Sequence, residues 1–258
     1  MIKREYNALL LAVLFYTTFP IPTHCISFSD EAQQRSTKYL PLIGLAIGLL
    51  NASLFYLFHS ALSLHLSIIL SIVITIIATG ALHEDGFADF CDGFGGGYTK
   101  DAILKIMKDS AIGTYGAIGL LCILSIKILL IAELPVKVIP LAILCVHSMS
   151  RISPIILIYT SNYVSSAGKA VHLKQPLPVT HLLISLLFLI IPTLLLPWQH
   201  NLTALVVLLV TTTLFRGYVH KKIGGYTGDV LGALQQISEV VLYSSILISV
   251  IYIRPLFS

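Results

Sequence analysis

Five ionisable side chains, His83, Glu84, Asp85, Asp89 and Asp92, crowd into ten positions of the stretch HEDGFADFCDGFGGG. Asp85, Asp89 and Asp92 follow i, i+4, i+7 spacing, which predicts three carboxylates along one helix face. Two carboxylates about 6 Å apart at an effective dielectric near 20 repel by roughly 2 to 3 kcal/mol, so such a ladder calls for a compensating cation. Oxygen ligands without a matching set of histidines or thiols favour Mg²⁺ or Mn²⁺ over zinc, and Mg²⁺ works beside substrate phosphates. Gly86 and the run Gly93, Gly95, Gly96, Gly97 flank the acids and permit close backbone approach to a bulky ligand. The bland alternative is a solvated loop whose acids keep it out of the bilayer. Neither the acids nor the glycines alone decide against it; their coincidence does.

The elements that must hold these residues are membrane helices. The chain has 258 residues, 56% hydrophobic and 11% charged, too apolar for a soluble globule. Spanning segments are expected near 40–58, 62–82, 113–132, 138–158, 181–198, 202–219 and 238–255, giving an all-α polytopic bundle of about seven spans in one membrane-embedded domain. The first apolar stretch, about 6–22, ends in TTFPIP and reads as an interfacial or re-entrant segment. With that arrangement Lys3, Arg4, Arg35, Lys38, Lys100, Lys105, Lys108, Lys169, Lys174, Lys221 and Lys222 fall on one side, and Lys137 and Arg254 on the other. The positive-inside rule then makes the acidic segment, about 83–112, cytoplasmic in a bacterial or archaeal inner membrane. Cys25, Cys91, Cys122 and Cys145 have no CxxC spacing, so neither a disulfide framework nor a zinc site is implied. The net charge of +4 is scattered, which argues against a nucleic-acid partner.

Other polar residues stand out against this background. Lys105 and Lys108 share a face three residues apart and could meet phosphate oxygens, or simply fix topology. Arg151 sits in mid-span near His147, where an unpaired arginine costs at least about 2.5 to 3.5 kcal/mol; it either faces a polar cavity or forms a buried salt bridge. Lys127 lies nearer a span end and is expected to snorkel. A second glycine-rich signature, Gly224, Gly225, Tyr226, Thr227, Gly228, Asp229, falls on the side of the acids, and its backbone amides could bind phosphate. Gly113, Gly116 and Gly119, like the pair Gly44 and Gly48, suit close helix packing.

Taken in order, FPIP, YLPLIGLAIG, HEDGFADFCDGFGGG, IMKDSAIGTYG and GGYTGDVLGA closely resemble the cobalamin synthase family, adenosylcobinamide-GDP ribazoletransferase, from about residue 15 to 240. Ala111 stands where that family often has a basic residue, a contact that Lys100 or Lys105 could supply, and Cys91 stands where alanine is usual. The resemblance implies a Mg²⁺-dependent enzyme that joins adenosylcobinamide-GDP to α-ribazole or its 5′-phosphate, giving adenosylcobalamin or its phosphate and GMP. On that footing Asp85, Asp89 and Asp92 would hold one or two Mg²⁺ ions on the diphosphate, and Glu84 or His83 would be the base. Lys108 and Arg151 would hold phosphate oxygens, while Gly224, Gly225, Thr227 and Asp229 would bind nucleotide or close the site.

Two rival readings follow from the same residues. A CDP-alcohol phosphotransferase also uses an acidic helix with Mg²⁺, but Asp89 occupies the place of that family's arginine. An ion-coupled transporter would use Arg151, Lys127 and the acids as a relay, although the acids lie outside the expected spans. The corrinoid-GDP and ribazole substrates and the membrane lipid are the expected partners; self-association into a homo-oligomer is left open.

Overall fold

The structure, a computed structural model, describes residues 2–22, 24, 26–165 and 176–252, so Cys25, Lys169, Lys174 and Arg254 lie outside the described residues. Helix α1 (Ile2–Tyr16) precedes the short α2 (Asp30–Ser36), and the bundle is then built from α3 (Leu40–His59), α4 (Leu64–Thr79), α5 (Leu82–Gly96), α6 (Lys100–Ile106) and α7 (Thr114–Ala132). It continues through α8 (Ile139–Met149), α9 (Ile152–Thr160), α10 (Val179–Leu187), α11 (Ile190–Leu195), α12 (Trp198–Ile223) and α13 (Gly228–Tyr252). No strand occurs among the described residues; a single parallel bridge links Tyr163 to Tyr226. The all-helical membrane bundle expected from composition is what forms.

Against the expected count of about seven, the described residues supply five or more candidate spans. Among the described residues five helical segments are long and apolar enough to cross, Asp30–His59, Thr114–Ala132, Ile139–Thr160, Trp198–Ile223 and Gly228–Tyr252, while α4 and α5 pass the same test only when taken together across their 88° bend. The apolar segment Val179–Leu195 falls short because it is broken into α10 and α11, each too brief to cross about 30 Å of hydrocarbon. Ile139–Thr160 is the central span, 83% enclosed, whereas Thr114–Ala132 is only 22% enclosed and turns most of its apolar surface outward. That central span is itself interrupted. Pro154 has no N–H to continue the ladder, and α8 gives way to α9 at Ser150 and Arg151.

Three devices position the polar parts. Gly44 and Gly48 press α3 onto α8 so closely that a Cβ on Gly44 would lie 2.3 Å from His147 O, the packing role expected of this pair. Helix α5 leaves α4 at 88°, because Gly80 and Ala81 both adopt left-handed backbone, φ 63° and 53°. Such a conformation at alanine costs roughly 1 to 2 kcal/mol and must be held by its surroundings. Thr18 supplies part of that hold, its N–H donating to Ala78 O at 2.8 Å and its hydroxyl to Ile77 O at 3.1 Å. The other end of α1 is tied to the start of α3, where Glu5 accepts from Tyr39 Oη at 2.7 Å and pairs with Lys38 at 2.5 Å. The start of α3 and the end of α4 lie on one side of an antiparallel pair, so α1 begins and ends on that side and does not cross.

Candidate active site

Because α5 turns through a right angle, it lies along the face of the bundle and offers its sides to different surroundings. Asp85 is exposed, Asp89 is partly buried, and His83 and Asp92 are buried. The start of α13 packs across this helix: a Cβ on Gly86 would meet Asp229 Cα and O at 3.0 Å. Asp229 thereby joins the acids of α5. Partial burial, followed by the charges of Asp229, Asp85 and Asp92, pushes the Asp89 carboxyl up from its ordinary value to about 7. Among the described residues no ion pair engages Asp85 or Asp89. The negative field expected from the spacing is therefore present, and it is centred on Asp89.

The expected ladder is nevertheless split. Asp92 Oδ2 accepts from Gly113 N–H at 2.7 Å and Oδ1 from Gly116 N–H at 2.8 Å, so its carboxylate caps the amino end of α7. Seven residues of helix rise carry it about 10 Å from Asp85, too far for both to meet one small ion. Gly113, Gly116 and Gly119 make room for this contact: a Cβ at Gly116 would lie 2.3 Å from Asp92 Oδ2, and one at Gly119 2.6 Å from Cys91 Sγ. No group of three His, Cys, Asp or Glu side chains among the described residues is arranged to hold a metal ion by itself. The donors at the α5–α13 junction are carboxylate oxygens, which suits Mg²⁺ held by one or two protein ligands and completed by substrate phosphates.

His83 and Glu84 face the other way, into the bundle, and do not stand beside Asp85 as a base for that site would. Gln236 Nε2 donates to Glu84 Oε1 at 2.9 Å, while Glu84 Oε2 is buried without a hydrogen-bond partner. They border a cavity of about 20 Å³ that is also lined by Asn51, Lys127, His147 and Arg151, with room for a single water. Glu239 is the hub of this interior cluster. It pairs with Lys127 at 2.6 Å, with His147 Nδ1 at 3.2 Å and with Arg151 at 3.7 Å, and it accepts a hydrogen bond from Gln235. Lys127 thus turns inward and does not snorkel. Arg151 is 2% exposed and donates to His147 O, so the expected phosphate contact gives way to the buried salt bridge. Desolvating these charges is expensive, and each must find its opposite inside the bundle.

The glycine-rich turn is also partly committed. Gly224 ends α12 in left-handed backbone, φ 79°, with its N–H on His220 O. Tyr226 N–H donates to Asn162 O and Val164 N–H to Tyr226 O, both at 3.0 Å, and a Cβ on Gly225 would strike Asn162 O at 2.2 Å. Thr227 Oγ1 accepts from Val230 N–H at 3.3 Å and starts α13. The turn is therefore a strut whose product is the placement of Asp229. Lys100 Nζ lies 3.8 Å from where a Cβ on Gly224 would stand, which puts the segment after α5 on the same side as the turn. Lys108 is exposed just beyond α6, ahead of the glycines that hold Asp92.

A bundle of apolar spans with an acidic helix laid across one face defines a polytopic membrane protein whose polar site lies outside the spans. A family model described as cobalamin-5-phosphate synthase matches residues 8–247. The chain belongs to that family. It is 39% identical over 257 residues, 95% of each chain, to an adenosylcobinamide-GDP ribazoletransferase of Shewanella frigidimarina. Relatives with the same name from Shewanella amazonensis and Shewanella sp. strain W3-18-1 are 36% and 40% identical, again over 95% of this chain. No solved structure matches it. Of the site's members, Asp229 and Glu239 were the hardest to foresee as partners, because 140 and 112 residues separate them from Asp89 and Lys127.

Proposed function

We propose that this chain is an adenosylcobinamide-GDP ribazoletransferase of the cytoplasmic membrane, joining the activated corrinoid to α-ribazole 5′-phosphate with release of GMP. The observation that carries the reading is the junction of α5 and α13, where Asp85, Asp89 and Asp229 concentrate negative charge in a member of this family. Asp89 and Asp229, with Asp85 beside them, would hold Mg²⁺. When bound, the ion supplies charge neutralisation on the diphosphate and on the departing phosphate of GMP. By fixing where the ion sits, the carboxylates would set the place of the diphosphate for in-line attack by the ribose hydroxyl on the corrinoid-side phosphorus. The new P–O bond forms as the bond to the GMP phosphate breaks, and GMP departs with the electron pair. The hydroxyl proton passes to a carboxylate of this cluster or to water, since His83 and Glu84 are turned into the bundle. Lys100, beside the α12–α13 turn, and the exposed Lys105 and Lys108 are cations on this side that would meet phosphate oxygens.

The positive residues on the side of α5 support a cytoplasmic placement, which suits a nucleotide product. The phosphorylated acceptor is favoured by the family description, cobalamin-5-phosphate synthase. Purified protein in detergent with adenosylcobinamide-GDP, Mg²⁺ and either α-ribazole or its 5′-phosphate tests both points. GMP should appear with Mg²⁺ and not with EDTA, faster with the phosphorylated acceptor. Absence of GMP with both acceptors refutes the activity, and equal rates refute the acceptor preference.

A further inference from the structure

Three groups converge on the Gln236 side chain, and their chemistry fixes which way its amide points. Lys127 Nζ can only donate, and it donates to Gln236 Oε1 at 2.6 Å. Gln236 Nε2 donates in turn to Glu84 Oε1 at 2.9 Å and to Gln235 Oε1 at 3.1 Å. A flipped amide would set its nitrogen against the ammonium and its oxygen against the carboxylate, so Lys127 selects the orientation that holds Glu84. Lys127 is itself fixed by Glu239 at 2.6 Å.

Where the helices joined by this bond come closest, they meet glycine against backbone. Gly86 lies on Asp229 Cα and O, and a Cβ on Gly232 would be 3.3 Å from His83 Cα. Glycine against backbone gives close approach but no directional contact. The hydrogen bond from Gln236 to the half-buried Glu84 carboxylate supplies one. We propose that Gln236 is a positioning residue: clamped by Lys127 and Glu239, it grips Glu84 and sets the register of α5 on α13 that brings Asp85 and Asp89 against Asp229. This rests on the metal reading given above, and it assigns Glu84 a mechanical task in place of a chemical one.

The test measures divalent-metal binding directly, by electron paramagnetic resonance of Mn²⁺ added to the full-length protein in detergent, alongside the Mg²⁺ dependence of GMP release. Gln236→Leu leaves the Lys127–Glu239 pair intact and should weaken Mn²⁺ binding and raise the half-maximal Mg²⁺ concentration by about tenfold, the scale of one charge-assisted hydrogen bond. KM for the corrinoid nucleotide should stay within about twofold, because the contacts of the polar face are unaltered. The exchange Glu84→Gln with Gln236→Glu sets a carboxylate oxygen before Lys127 in place of the amide oxygen and an amide donor across from it, giving up only the bond to Gln235 Oε1, so it should recover Mn²⁺ binding and turnover to within about threefold of wild type. If the leucine variant does not fold, Gln236→Asn, too short to reach both partners, carries the same expectation. Wild-type Mn²⁺ affinity in the Gln236 variants overturns the proposal. So does an exchange as impaired as Gln236→Leu, which would make Glu84 a chemical group. A wild-type protein that binds no Mn²⁺ removes the metal reading itself, and this proposal with it.

Discussion

Asp89→Asn should make the metal-free protein more stable while abolishing its activity. In the folded protein the Asp89 carboxyl is raised from 3.8 to about 7 by partial burial and by the charges of Asp229, Asp85 and Asp92. A shift of about 3 units corresponds to roughly 4 kcal/mol at 1.36 kcal/mol per unit, but the group is partly open to solvent and screened, so about 1 to 2 kcal/mol is the realistic scale. The sign follows from the direction of the shift. A raised carboxyl contributes stability that is complete below about pH 4 and is lost as pH rises through 7, because the folded state binds the proton more tightly than the unfolded one. At pH 8 in EDTA the wild type carries the whole penalty, and Asp89→Asn should unfold later by an amount worth about 1 to 2 kcal/mol; near pH 4 the two should coincide. Mg²⁺ should stabilise the wild type and not the variant. Since the ion and the proton compete for one carboxylate, the Mg²⁺ needed for half-maximal effect should rise as pH falls below 7, by up to about tenfold per unit. Thermal unfolding followed by circular dichroism reads the first quantity and GMP release the second. A variant no more stable than wild type at pH 8, or one that keeps turnover and its response to Mg²⁺, refutes the electrostatic account of the α5–α13 junction.

Other substitutions separate the roles of the remaining polar residues. Asp92→Ala removes two charge-assisted bonds to the first turn of α7 and should lower stability by about 2 to 3 kcal/mol, measured by thermal unfolding, while leaving the Mg²⁺ concentration for half-maximal turnover within about threefold. Lys127→Met strips Glu239 of its nearest cation and should cost about 3 kcal/mol, moderated by His147 and Arg151; an unchanged midpoint would mean that the cluster is not a stabilising ion pair. Gly44→Ala forces α3 away from His147 O and should cost about 1 to 3 kcal/mol or prevent accumulation in the membrane. Thr18→Val loses the hydroxyl bond to the corner that holds Ala81 and should cost about 1 kcal/mol, read from the same unfolding curves.

The long spans were legible because a run of apolar residues has few other fates, and Leu40–His59, Thr114–Ala132 and Trp198–Ile223 begin or end close to where hydropathy places them. The break in Val179–Leu195 was not, since Pro192 and the turn at Phe188 act on a segment whose composition stays uniformly apolar. Spacing correctly placed the acids on a helix, but spacing is periodic and ignores rise: Asp92 shares an angle with Asp85 while lying about 10 Å further along, beside the start of α7. The corner at Gly80 and Ala81 had no sequence signal in its second residue, because an alanine in left-handed backbone is imposed by tertiary contacts and not by propensity.

The mid-membrane charges carry the most general lesson of this chain. Lys127 and Arg151 were met singly in the sequence, with snorkelling expected for the first and a phosphate or a buried salt bridge for the second, while Glu239 drew no reading of its own. Inside the bundle they resolve one another: two cations on α7 and the α8–α9 break converge on one carboxylate of α13. Had Arg151 reached the polar face for a phosphate, Glu239 would have lost one of its two permanent cations, and the space beside Gly44, where an added Cβ would lie 2.5 Å from Arg151 Cδ, would not be filled by that side chain. The same helix that buries Glu84 among these groups carries Asp85 and Asp89 outside them. Helix α5 therefore couples a closed, charge-balanced interior to an open, acidic face, and it is on the second that the proposed cation and diphosphate would sit.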